Sequence, residues 1–367
     1  ATGDGFSDVN FYDYNFNGNT QFVDVIPQIE TSSFMTFGEY TFDSEANITP
    51  YFELMFNRRE SDAQPFVAQL FPFVNALNPF NPCNPNGAGI DCGLAQDELF
   101  THPAVEQAFI DTYGATPTQF GLLTGAVGPI PVEPTVAVRG DRNQNFTDVK
   151  QTRVVAGVRG DMPFMTMGSL ENWAFDFYVL QTDTSGDSDW YGVRGDRLDL
   201  ALGNYSPTGT PCDDPFGFAP AADTAPGCVP VNMFAPSLWE NTVNNDFATQ
   251  AERDYLFGNR SFQTDYVQTV YSFYMNGDIF ELPGGDAMFG IGFEYRDDDI
   301  NSIPNQTAAE GLFFGFSADQ GAIGSKFTRQ FFAEMELPLF AGFKGMKELT
   351  VNASANYTED EFYEGSW

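Results

Sequence analysis

A two-residue alternation of apolar and polar side chains recurs in eight separate segments, and the connections between them are alternately short and long. In NWAFDFYVLQT, Trp173, Phe175, Phe177 and Val179 fall on one side of an extended chain and Ala174, Asp176, Tyr178 and Leu180 on the other, because successive strand side chains point to opposite faces. The same pattern is read at 31–43, 48–59, 149–161, 172–183, 264–281, 286–297, 325–337 and 348–359. In 286–297 it separates Phe289, Ile291, Phe293 and Tyr295 from Gly290, Gly292, Glu294 and Arg296. The split is weakest in 264–281, where Tyr266, Val270 and Tyr274 stand on the face expected to be wet.

DSEAN, PFMTMGSLEN, PGGD and PLFAGFKGMK join the segments into four hairpins, while 60–148, 184–263 and 298–324 link one hairpin to the next. A barrel in an outer membrane sorts its connections this way, with short periplasmic turns and long extracellular loops. A soluble two-layer β protein, the competing source of alternation, has no need to. Ten residues of ~3.3 Å, tilted by about 40°, cover roughly 25 Å, the height of the apolar band of such barrels. The second face carries Glu53, Arg153, Asp176, Glu294, Glu334 and Glu336, costly in a dry core unless paired but at home against a wet lumen. Arg329 is the exception, on the apolar face near the long-connection end. The expected fold class is therefore all-β: an antiparallel transmembrane β-barrel whose aromatic face meets outer-membrane lipid, with Trp173 as an interfacial anchor near a short turn.

Composition narrows the function. A net charge of -35 over 367 residues excludes a nucleic-acid partner, since a polyanion would be repelled before any base was read. No run of 18 apolar residues is present, so no spanning helix is read, and a closed strand barrel is the other solution open to a membrane chain. The chain opens at Ala1 on polar and acidic residues, and no leader peptide is read in it.

Four cysteines fall in two of the long connections, and pairing Cys83 with Cys92 and Cys212 with Cys228 is favoured among the three pairings because each closes a short Gly/Pro-rich loop. Disulfides fit an exported protein. Zinc is disfavoured: His102 is the single histidine and no CxxC occurs. The same lack of partners removes His102 as a catalytic residue, and no enzyme is expected. VRGD occurs at 138–141, 158–161 and 193–196; the triplet suggests cell adhesion, but Gly160 and Asp161 are better read as a strand ending in a turn. The acidic runs holding Asp183, Asp187 and Asp189, and Asp297, Asp298 and Asp299, offer oxygen ligands for calcium. Neither matches a known calcium loop, and a solvated acidic rim is the simpler reading. DFATQAERDYLF, 246–257, places Phe247, Ala251, Tyr255 and Leu256 at helical spacing, a short helix packing within its connection.

Several stretches resemble one family. RVVAGVRGDMP with ENWAFDFYV, FELPGGDAMFGIGFEYRDDD, FFAEMELPLF with GMKELTVNASANYTED, and YTFDSEANITPYFELMFNRRES are similar to the barrel region of TonB-dependent outer-membrane receptors of Gram-negative bacteria. The resemblance implies a 22-stranded barrel, a plug domain within it, and import of a scarce ligand driven through TonB, ExbB and ExbD. Nothing in the sequence resembles the plug or the TonB box, and eight strands are too few. Residues 1–367 are therefore read as an internal, partial barrel domain, with EDEFYEGSW as the top of an incomplete loop and an independent eight-stranded barrel as the alternative. The ligand could be a metal chelate, an oligosaccharide or a peptide. A surface adhesion or assembly barrel, or a passive pore, with calcium bound in its loops, is the competing function.

Overall fold

The computed structural model describes residues 24–64, 69–142, 144–166, 169–239 and 246–366. In chain order its strands are β1 (Gln28–Glu39), β2 (Thr49–Ala63), the short β3 (Gln69–Leu70) and β4 (Val136–Ala137), β5 (Gln144–Asp161), β6 (Glu171–Val193), β7 (Phe257–Leu282), β8 (Gly285–Pro304), β9 (Ala322–Phe343), β10 (Met346–Asp360) and β11 (Tyr363–Ser366). Helices α1 (Cys92–Thr101), α2 (Pro103–Tyr113), α3 (Gly195–Ala201), α4 (Pro236–Trp239), α5 (Gln250–Leu256) and α6 (Gln306–Ala309) all lie in the long connections.

Eight long strands stand where the eight alternating segments were read. With β11 they form one nine-stranded sheet in the order β1-β2-β5-β6-β7-β8-β9-β10-β11, and every neighbouring pair is antiparallel. Among the described residues this sheet is open, with β1 and β11 at its edges and no closed barrel.

Two expectations are corrected. The strands are longer than ten residues: β6 has 23, β7 has 26 and β9 has 22. They continue past the apolar alternation into what had been read as loop, because backbone pairing extends for as long as two chains stay side by side, whatever side chains they carry. The C-terminal EDEFYEGSW likewise contains a strand, β11, paired to β10.

What remains of the long connections folds into a cap with its own core. Leu70, Val74, Val138, Val193, Leu202, Met233, Leu238 and Leu256 are buried there at 1 % exposure or less. β3 pairs with β4 inside it, and α5 closes it. Thr249 and Glu252 cap α5 reciprocally, turning Tyr255 and Leu256 inward beside Phe247, as the helical spacing predicts. A second device is visible in NALNPFNPCNPN, where Asn75, Asn78, Asn81 and Asn84 recur every third residue. Each side-chain oxygen accepts the N–H two residues on, and each backbone carbonyl accepts the N–H three residues on. The side-chain amides reach outward to the carbonyls of Leu202, Gly203 and Ile130, so this buried polar column is satisfied throughout.

The strand register fixes how the apolar side chains are arranged. One row of partners runs Leu54, Val154, Gln181, Thr269, Asp297, Phe327. It starts at the middle of the apolar stretch of β2 and leaves that stretch by β6. In β10 the apolar stretch, Val351 to Tyr357, lies about seven residues below the continuation of this row. Six inter-strand steps of ~4.8 Å against about seven residues of ~3.3 Å give an apolar band slanted by about 40° to the hydrogen-bond rows. A barrel whose strands tilt 35–45° to its axis produces this slant.

Candidate functional site

The two faces of the large sheet differ chemically along its whole width. One carries Phe34, Phe52 and Phe56, then Val154, Phe177, Tyr271, Phe273, Ile291, Phe331 and Val351, and all of these are exposed. Phe52 and Phe331 keep 52 % and 51 % of their surface accessible, so no second layer of the described chain covers them. The two-layer alternative fails on this point. Arg329 falls on this face as expected, its guanidinium 4.8 Å from the Phe327 ring centre. Above the band the same face becomes charged, with Asp148 gripped by Arg58 at 3.0 and 2.9 Å and by Lys150 at 3.1 Å.

Trp173 departs from the expected anchor. It is 6 % exposed: the register breaks between Glu171 and Ala174, the indole lies down over Gly277, and its Nε1–H donates to the Asp278 carbonyl at 3.1 Å. The following glycine of the neighbouring strand supplies the flat seat, since a Cβ there would enter the indole ring.

The other face is polar and internally bonded. Tyr51 of β2 lies across Gly157 of β5, and its hydroxyl donates to Asp176 of β6 at 2.7 Å. Two strand pairs further on, Tyr274 of β7 lies across Gly290 of β8 and donates to Glu334 of β9 at 2.5 Å. Tyr266 and Gln268 both donate to Asp298, at 2.5 and 2.8 Å. Arg153 pairs with Glu53 at 3.1 Å and Arg159 with Glu39 at 2.7 Å. The tyrosines that blurred the pattern of 264–281 thus belong on the polar face because each hydroxyl satisfies a carboxylate, which counting apolar residues cannot register.

In the cap, the VRGD copies at 138–141 and 193–196 meet in the core. Asp141 accepts the Val193 N–H at 2.8 Å and pairs with Arg142 at 3.0 Å. Arg194 donates from Nε and Nη2 to both oxygens of Asp196, at 2.7 and 2.6 Å, and from Nη1 to Asp223 at 2.9 Å. Thr224 adds a fourth bond, to Asp196 at 2.5 Å. Burial raises the Asp141 carboxyl above its usual range, while the Arg194 hydrogen bond holds Asp223 down at about 2. Burial pushes the Tyr255 hydroxyl up to about 12. The third copy ends β5, where Asp161 accepts from Asn47 at 2.6 Å. None of the three presents a free RGD triplet.

Cys83 is bonded to Cys92 and Cys212 to Cys228, with Cα atoms 5.1 and 5.7 Å apart, the local pairing expected from spacing. His102 is exposed at the junction of α1 and α2. The acidic runs do not gather. Asp297 and Asp299 face the apolar side of β8 while Asp298 faces the other, because a strand alternates its side chains. Asp183, Asp187 and Asp189 share one side of β6 but are strung along it. Among the described residues no group of three or more His, Cys, Asp or Glu is placed to hold a metal ion, and no helix is long and apolar enough to cross a membrane. No known family profile matches the chain, and comparison with curated proteins finds none similar to it.

Proposed function

We propose that this chain is part of an outer-membrane β-barrel of the TonB-dependent receptor type, and that it serves the import of a scarce ligand. The observation that carries the reading is the exposed apolar band, continuous over eight strands and slanted by about 40° to the hydrogen-bond rows. An aqueous protein rarely leaves so wide an apolar surface bare, and a band bounded above by ion pairs fits an acyl layer ending at headgroups. The open edges at β1 and β11 are where the remaining strands of a larger barrel, up to the 22 of that family, would pair. The polar face then lines the lumen around a plug, and the cap stands at the outer mouth, where ligand is captured. Adhesion through RGD is not favoured, since Asp141 and Asp196 are spent on buried bonds.

The test is site-specific photocrosslinking of the complete gene product in cells. Outer-membrane fractionation together with adducts to TonB supports active import. Outer-membrane localisation without any TonB adduct points to a pore or assembly barrel and overturns it.

A further inference from the structure

Where the polar face of the sheet runs up beneath the cap, three register partners stand in line: Asn145 of β5, Trp190 of β6 and Arg260 of β7. Arg260 is held between two rings, 4.6 Å from the centre of Phe262 and 4.7 Å from that of Phe316, and Trp190 lies 6.1 Å from Phe316. Next to them a recess of about 410 Å³ opens between Ser188, Phe262, Thr264, Ser302 and Asp319. This volume lies within the range of small-ligand sites.

Two buried polar atoms at this place, Arg260 Nε and Asn145 Oδ1, have no hydrogen-bond partner among the described residues. Leaving a buried polar atom unmet costs about 1–3 kcal/mol, and such atoms in a well-bonded fold call for a reason. A purely structural role explains the ring contacts of Arg260, which pin the 305–321 connection to the sheet, but leaves both atoms unexplained.

The geometry points to a ligand site here, for a neutral polyhydroxylated molecule of the saccharide class. The proposal deepens the import reading by naming the cargo class, and it rests on that reading only for what happens after capture. The donor set is mixed, with a guanidinium, an amide oxygen, a carboxylate and hydroxyls from Ser188, Thr264 and Ser302; vicinal hydroxyls, each donor and acceptor at once, match such a set. Aromatic rings beside it offer apolar faces to the C–H side of a sugar ring. Charge favours neutrality. Arg260 Nη2 stands 3.5 Å from Asp319, so the recess carries no net cation for an anionic ligand, and the chain's charge of -35 opposes one.

The complete gene product in detergent micelles, tested against an array of defined neutral oligosaccharides with sialylated and sulfated glycans as a second arm, decides it. The expected result is retention of a neutral glycan whose affinity falls at least tenfold in Asn145→Ala and in Phe262→Ala, with no change in Tyr274→Phe, which lies lower on the same face. Asn145→Ala is the discriminating variant: its oxygen bonds nothing in the protein, so a merely structural role predicts no loss of binding and undiminished stability. No retained glycan, preference for the anionic arm, or retention indifferent to Asn145→Ala overturns the proposal. Binding is read in micelles without TonB, so its failure leaves the import reading standing, and loss of TonB crosslinks leaves a binding result standing.

Discussion

Replacing Arg194 by Met is expected to be among the most damaging single changes in the cap. The Arg194 and Asp196 side chains are 5 % and 2 % exposed, and Arg194 supplies two of the three side-chain bonds to Asp196 described above. Removing it strands a carboxylate in the interior with only Thr224 to meet it, and breaking a buried pair in this way costs about 3–5 kcal/mol. Asp223, half exposed, adds little to that sum once solvent screening is counted. At about 1.4 kcal/mol per decade, the opening equilibrium of α3 should rise by roughly 10² to 10⁴. Hydrogen exchange of the Leu198 and Leu202 amides, both bonded within this region, reads the change in the complete protein. The double variant R194M/D196L should recover more than half of the lost protection, because an apolar pair of similar volume replaces a buried ion pair at little cost. A loss below about 1 kcal/mol in R194M, or no recovery in the double variant, would refute the claim that this VRGD is a buried structural pair.

Three further outcomes are expected. Gly157→Val drives a side chain into the Tyr51 ring and breaks the Tyr51–Asp176 bond; it should lower stability by about 1–3 kcal/mol in a urea titration, whereas Gly186→Ala, with its nearest non-local atom at 3.6 Å, should be tolerated. Asp223 titrates near 2 in the folded cap against about 3.9 unfolded, so its contribution is present above the unfolded value and is lost as pH falls through the folded one. Exchange protection of the cap should therefore drop between about pH 4 and 2, and Asp223→Asn should flatten that drop. Removing Cys212–Cys228 with paired serines should cost about 2–4 kcal/mol and open the 212–228 segment to proteases, while leaving sheet content by circular dichroism unchanged.

The sheet was legible because its side chains obey a local rule. Phe289, Ile291 and Phe293 declare a face without reference to any partner, and the short turns between hairpins fix which strands are neighbours. The extent of the strands was not legible: residues 184–193 and 257–263 pair by backbone alone, and their polar side chains look like loop. The cap escaped for a related reason, since its core is assembled from Leu70, Val138, Val193 and Leu256, each isolated in sequence and joined only by folding. Local cysteine spacing sufficed for the disulfides, and helical spacing for α5. Arg194 and Asp196 lay inside a motif whose usual association points outward, and only burial reverses it. The three-residue asparagine period was on view in NALNPFNPCNPN and marks a column of turns, which neither strand nor helix periodicity detects.

Whether the apolar face lies in acyl chains is tested most directly by lipid-borne quenching. A fluorophore is attached to single cysteines placed at Phe177 and Phe331, and at their polar-face neighbours Tyr178 and Gln330, in the complete protein reconstituted into vesicles with acyl-brominated lipids. Strong quenching at 177 and 331 with little at 178 and 330 is predicted, and a charged Phe177→Arg should cost about 2–4 kcal/mol of insertion stability. Equal quenching at all four sites, or sites at 177 and 331 that respond only to a water-soluble quencher, would contradict it.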